Sequence, residues 1–167
     1  MSCITERNAL LEEKYKYNSL SNELFEEKYE NEIKLEIKSK SANEAFVRVA
    51  IAAFASQLDP TIEQIADIKT AVSEAVTNSI VHGYEGLVGY VTLECELEND
   101  TVHITVSDCG RGISDIELAR KPLYTSRPEL ERSGMGFTVM ETFMDTVEVT
   151  SSLGLGTVVK MSKKLQG

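Results

Sequence analysis

Val102-His103-Ile104-Thr105-Val106-Ser107-Asp108-Cys109-Gly110-Arg111-Gly112 decides the fold. Val102, Ile104 and Val106 alternate with Thr101, His103 and Thr105, the period of a half-buried strand. The same parity places Asp108 on the apolar side, so its carboxylate points inward. Just upstream, Val91, Leu93, Cys95 and Leu97 alternate with Thr92, Glu94, Glu96 and Glu98, and Asn99-Asp100 is a turn signal. Together these make a hairpin with one apolar face.

Working outward, residues 32–38 alternate again, with Ile33, Leu35 and Ile37 against Lys34, Glu36 and Lys38. Ser41 and Asn43 can cap a helix running to about Gln57, for which Ala45, Phe46, Val49, Ala52, Ala53 and Phe54 are the expected core set. A second helix is expected from Asp59 as N-cap and Pro60 as first helical residue to about His82. Residues 83–89 connect it to the hairpin. Residues 112–133 have no clean period and contain Pro122 and Pro128. A long loop of this kind in a compact domain is often a functional lid; one helical turn is expected near residues 116–120. A last helix at 134–143 and two strands at 147–150 and 157–161 follow, the strands joined at Leu153-Gly154-Leu155-Gly156. Segregated strands and helices predict an α+β fold: a two-layer sandwich of a mixed, mainly antiparallel sheet with helices on one face. The domain spans residues 30–167. Residues 1–29 are polar, with Leu10, Leu11, Leu20 and Leu24 as the only helix-like apolar set, and are expected to form a flexible extension.

The chain has 167 residues, 42% hydrophobic and 26% charged, which suits one domain with a sizeable core. A net charge of -10 argues against a nucleic-acid ligand and favours a basic protein partner. Three cysteines, Cys3, Cys95 and Cys109, have no disulfide-like spacing and point to a reducing cytosol. No apolar run approaches the roughly 20 residues of a membrane span. The start Met1-Ser2-Cys3-Ile4-Thr5-Glu6 lacks the pattern of a signal peptide, so a cytoplasmic location is expected.

Three short motifs carry the chemistry. Glu74, Asn78 and His82 form an i, i+4, i+8 stripe on the second helix. A solvated face is the plain alternative, but the helix is strongly apolar elsewhere. Asn78 can offer an oxygen to Mg2+, and Glu74 can act as general base toward a nucleophile facing a terminal phosphate. His82 fits a structural or a functional part equally. Asp108 followed by two glycines can be a simple turn. An inward carboxylate is costly unless paired, however, so acceptance of an adenine amino hydrogen is the favoured reading. Gly110 and Gly112 would let the backbone pass close to the base. Gly134-Met135-Gly136 opens a helix whose N-terminal N–H groups suit phosphate. No phosphate-binding loop of the GxxxxGK[ST] kind exists. Arg132 can reach the terminal phosphate or stay solvated on the lid, and Arg48, one turn after Glu44, can be an ordinary surface pair.

In this order, the three motifs resemble the N, G1 and G2 boxes of the GHKL ATPase superfamily. Residues 48–54, 57–61, 73–78, 82–85 and 128–137 narrow the likeness, over about residues 30–165, to the anti-sigma F factor family of endospore-forming bacteria. That resemblance implies a dimeric serine protein kinase that is also a stoichiometric inhibitor. It would hold sporulation sigma factor F inactive and use ATP and Mg2+ to phosphorylate a serine on an anti-anti-sigma factor. It assigns Glu74 as catalytic base, Asn78 as Mg2+ ligand, Asp108 as adenine contact and Arg132 as the terminal-phosphate contact. Gly110, Gly112, Gly134 and Gly136 become pocket glycines. His82, Thr125, Ser126, Ser133, Met135 and Phe137 join the nucleotide contacts, and Arg48 lies on a surface shared by both partners.

Rival readings have their own sequence tests. A histidine-kinase module needs a phosphoacceptor on a dimerisation helix, and the chain's histidines are His82, on the nucleotide helix, and His103, on the hairpin. An ATP-gated binding module with little kinase activity has no need of Glu74 as a base. A clamp ATPase would need a transducer domain after the nucleotide domain.

Overall fold

The computed structural model describes residues 31–122 and 134–165. Strand β1 (Asn31–Lys38) leads into helix α1 (Ser41–Ala55), a short 3-10 turn (Ser56–Leu58) and helix α2 (Ile62–Asn78), which widens into a π turn (Ser79–Gly83). Strands β2 (Tyr90–Glu98) and β3 (Thr101–Asp108) form the expected hairpin. A single helical turn α3 (Ile116–Ala119), helix α4 (Gly136–Phe143) and strands β4 (Thr146–Ser152) and β5 (Gly156–Lys164) complete the order. The extension 1–29 and the second half of the lid loop, residues 123–133, lie outside the described residues.

The sheet has five strands in the order β1-β2-β3-β5-β4, and all four pairings are antiparallel. The helices pack against one face, α1 on α2 and α2 on α4. This is the two-layer α+β arrangement expected from the hairpin's single apolar face. The core is built from Val91, Leu93, Cys95 and Leu97 of β2 and Val102, Ile104 and Val106 of β3, facing Ile68, Val72 and Val76 of α2. The β2–β3 register sets Val91 opposite Asp108, so the end of β3 lies at the rim of this core. Burial of such aliphatic side chains stabilises by about 1.5–3 kcal/mol each, which is why the alternating pattern fixes the register.

Two local expectations are corrected. Thr61, not Asp59, is the N-cap of α2. The Thr61 Oγ1 accepts the Gln64 N–H at 3.2 Å and the Gln64 side chain accepts the Thr61 N–H at 2.9 Å, a capping box. Pro60 disfavours helical backbone in the residue before it, and Asp59 instead takes a left-handed conformation with φ 49°. The second correction concerns α1. Its buried residues are Val47, Ile51, Ala52 and Ala55, whereas Phe46 and Val49 are 62% and 51% exposed. Ala45 and Ala53 are exposed too, so of the expected core set only Ala52, with half-buried Phe54, faces inward.

Candidate functional site

Between α2, the turn after β3 and the start of α4 lies an open cleft of about 220 Å3. Asn78 and His82 line one wall, brought to it by successive turns. The expected single helix 59–82 departs from α-helix after Asn78. Its i→i+5 bond, from the Tyr84 N–H to the Ser79 carbonyl at 3.0 Å, defines the π turn. Such widened turns are frequent at functional sites.

Asp108 and Thr157 form the floor, adjacent across the β3–β5 register. Asp108 is 6% exposed, as the strand parity requires, and its Oδ1 accepts the Gly110 N–H at 2.9 Å. Thr157 escaped the sequence reading. The signal was available: Thr157 shares parity with Val159 and Met161, so a polar side chain stands on an apolar strand face, as Asp108 does. Arg111, Ile113 and Leu153 also line the cleft and were not expected there. The Arg111 guanidinium meets Glu85 at 2.7 Å at the rim.

Gly134, Gly136 and Phe137 close the far side. Gly134 has φ 61°, a left-handed turn that turns the chain into α4. Met135 is the N-cap and supplies no side-chain hydrogen bond to the helix start. Among the described residues the first N–H groups of α4 have no side-chain cap, and they suit an anion. A methyl group on Gly136 would sit 3.1 Å from both amide atoms of Asn78 and 3.2 Å from the Glu74 Oε2. Glu74 thus lies beside Asn78 against the start of α4, although it does not line the cleft itself.

The glycines after Asp108 serve backbone packing. A Cβ on Gly110 would come within 2.3 Å of the Gly83 carbonyl, and one on Gly112 within 2.1 Å of the Ser152 carbonyl. Their immediate neighbours are protein backbone, so they fold the turn tightly under the cleft. Gly110 does not line it, whereas Gly112 does. Of the other expected positions, Arg48 sits on α1, outside the lining. Thr125, Ser126, Arg132 and Ser133 lie outside the described residues.

Antiparallel sheet, one helical layer and a cleft framed by these three motifs define a histidine kinase-like ATPase domain, and that family description matches residues 37–163. The solved structure of the RsbU and RsbW domains of a Mycobacterium tuberculosis protein shares the fold, with a TM-score of 0.59 and 20% identity over 81% of this chain and 32% of that one. Curated relatives are much nearer. The chain is 62% identical to the anti-sigma F factor of Clostridium beijerinckii over 136 residues, covering 81% of this chain and 95% of the relative. It is 58% identical to that of a Thermoanaerobacter species, covering 81% and 94%. The chain belongs to the anti-sigma F factor family.

Proposed function

We propose that this chain binds ATP and Mg2+, phosphorylates a serine of an anti-anti-sigma factor, and as a homodimer holds sporulation sigma factor F inactive. One observation carries the kinase reading: Glu74 and Asn78 converge on Gly136 at the start of α4, across the cleft from buried Asp108. That spacing separates a phosphate end from a base end. The names of the relatives support the sigma-factor part.

Asp108 reads the adenine amino group, with Thr157 beside it. Asn78 presents an amide oxygen to Mg2+. Among the described residues no group of three or more His, Cys, Asp or Glu could hold a metal by itself. Asn78 would be the protein ligand of Mg2+, through an amide oxygen of the kind that Mg2+ prefers. When bound, Mg2+ would neutralise charge on the terminal phosphates. Glu74, beside Asn78, accepts the proton of the serine hydroxyl as the serine oxygen bonds the terminal phosphorus and the bond from that phosphorus to the departing ADP breaks. The N–H groups of α4 receive phosphate oxygens, and Arg132 adds charge at the terminal phosphate.

Incubation with labelled ATP and the anti-anti-sigma factor should give a phosphoserine on that partner. Glu74→Ala should keep ATP binding while transfer drops about 10²-fold or more, the scale of general-base loss. Undiminished transfer would remove Glu74 from this role. Nucleotide-dependent partner binding without a labelled product would instead favour an ATP-gated binding module.

A further inference from the structure

We infer that the Tyr84 hydroxyl is a positioning group for Asp108 and thereby sets how strictly the cleft distinguishes adenine from guanine. This inference rests on the proposed base-reading role of Asp108.

Three consecutive backbone N–H groups follow Asp108, and each has a different acceptor. Gly110 donates to the Asp108 Oδ1 at 2.9 Å, and Arg111 donates to the Gly83 carbonyl at 2.9 Å. Cys109 donates to the Tyr84 hydroxyl at 3.1 Å. The hydroxyl passes its own hydrogen to the Tyr90 carbonyl at the start of β2. Residues 83 and 84 therefore hold two of the three peptide groups that carry the Asp108 turn.

The ring has little freedom. Tyr84 is 8% exposed, and a Cβ on Gly89 would fall 2.0 Å from its Cε1, so the connector wraps directly over it. The connector is fastened again at its far end. Ser39 donates its N–H to the Gly89 carbonyl at 2.9 Å and its hydroxyl to the Leu87 carbonyl at 3.1 Å, while the Gly89 N–H returns to the Ser39 Oγ at 2.9 Å. The connector is thus held at both ends, and its Tyr84 end touches the turn of Asp108 whereas the Ser39 end does not.

The peptide between Asp108 and Cys109 carries the Asp108 side chain at one end and the hydroxyl-bonded N–H at the other. Without the hydroxyl that peptide loses one of its holds, and the carboxylate, still bonded to the Gly110 N–H, is less closely fixed in direction. A fixed carboxylate accepts the adenine amino hydrogen and repels the guanine carbonyl oxygen. A loosened one does both less well. Specificity from a polar contact of this kind depends on geometry rather than on burial.

The test compares ATP and GTP dissociation constants for the full chain and for Tyr84→Phe, Ser39→Ala and Asp108→Ala. Tyr84→Phe keeps the ring and deletes one hydrogen-bonding group, so the preference for ATP should fall about fivefold, the equivalent of one ordinary hydrogen bond. Ser39→Ala loosens the same connector from its other end and should leave the preference within about twofold. In Tyr84→Phe the Cys109 amide should also exchange faster while the β2 and β3 core amides keep their protection. An unchanged preference in Tyr84→Phe, with the preference lost in Asp108→Ala, overturns the positioning role. Equal loss in Ser39→Ala also overturns it, because general loosening would then explain the effect. Retained preference in Asp108→Ala would instead sink the base-reading role beneath it.

Discussion

At the scale of single residues, the inward carboxylate was legible because a strand has period two: once Val102, Ile104 and Val106 face the core, Asp108 must follow them. Thr157 obeys the same rule, but its strand is introduced by a glycine turn that hides where the alternation begins. The two described cysteines separate by the same parity. Cys95 shares the face of Leu93 and Leu97 and is buried, and burial, with the neighbouring Glu96 carboxylate adding to it, pushes its thiol up to about 12. Cys109 lies one residue past the strand and is exposed. Only the thiolate is a strong nucleophile, so Cys95 is expected to be inert while the protein is folded. In a Cys3→Ser background, a thiol reagent should modify Cys109 at neutral pH and reach Cys95 only after denaturation. Rapid native-state labelling of Cys95, detected by peptide mass, would contradict the packing of β2 on the helices.

At the scale of elements, boundaries failed where two local signals competed. Asp59-Pro60 reads as a helix start, yet Thr61-Ile62-Glu63-Gln64 is a capping box two residues later, and the box prevails because it satisfies two backbone N–H groups reciprocally. Thr61→Ala should cost about 1 kcal/mol, a fall in melting temperature of about 2–4 °C for a domain of this size. A melting temperature equal to wild type would assign the cap elsewhere. The widening of α2 into a π turn left no mark in the sequence, because His82 keeps helical spacing from Asn78 even though the backbone changes. At the β2–β3 tip, Lys164 hydrogen-bonds Asp100 at 3.0 Å and holds its carboxyl below its ordinary value. The sign follows directly. A depressed carboxyl pKa adds stability that is present above the unfolded value, about 3.9, and is lost as pH falls through the lower folded value. Asp100→Asn should therefore melt slightly below wild type near neutrality, and the two curves should merge in acid. A difference that persisted at low pH would mean that the tip is held by something other than this charge.

At the scale of the whole molecule, the class of fold was legible and the outward face of α1 was not. Val47, Ile51 and Ala55 make one helical stripe; Phe46, Val49 and Ala53 make another, and spacing alone cannot rank two apolar faces of one helix. The sheet selects the first for the core and leaves the second to solvent; Leu87 and Val88 of the connector are exposed as well. Exposed apolar surface of this kind commonly marks an interaction site. Arg48 lies on the same helix, away from the cleft lining, with its Nε 3.6 Å from the Glu44 Oε1. The Arg48 side chain is 44% exposed but that of Glu44 only 19%, and at 3.6 Å the contact is a long one, worth on the order of 1 kcal/mol, so its loss should not unfold the helix. Reversing the charge adds an i,i+4 repulsion with Glu44 that exceeds the roughly few tenths of a kcal/mol typical of a solvated pair, because the Glu44 Oε1 is shielded from solvent. Arg48→Glu should thus lower the melting temperature modestly and leave ATP affinity near wild type while abolishing binding of both sigma factor F and the anti-anti-sigma factor. Competition between the two partners for wild-type protein, followed by titration of each onto the variant, would check this. Survival of either interaction after charge reversal would show that the partners do not share this arginine, and the proposed common docking surface would have to be abandoned.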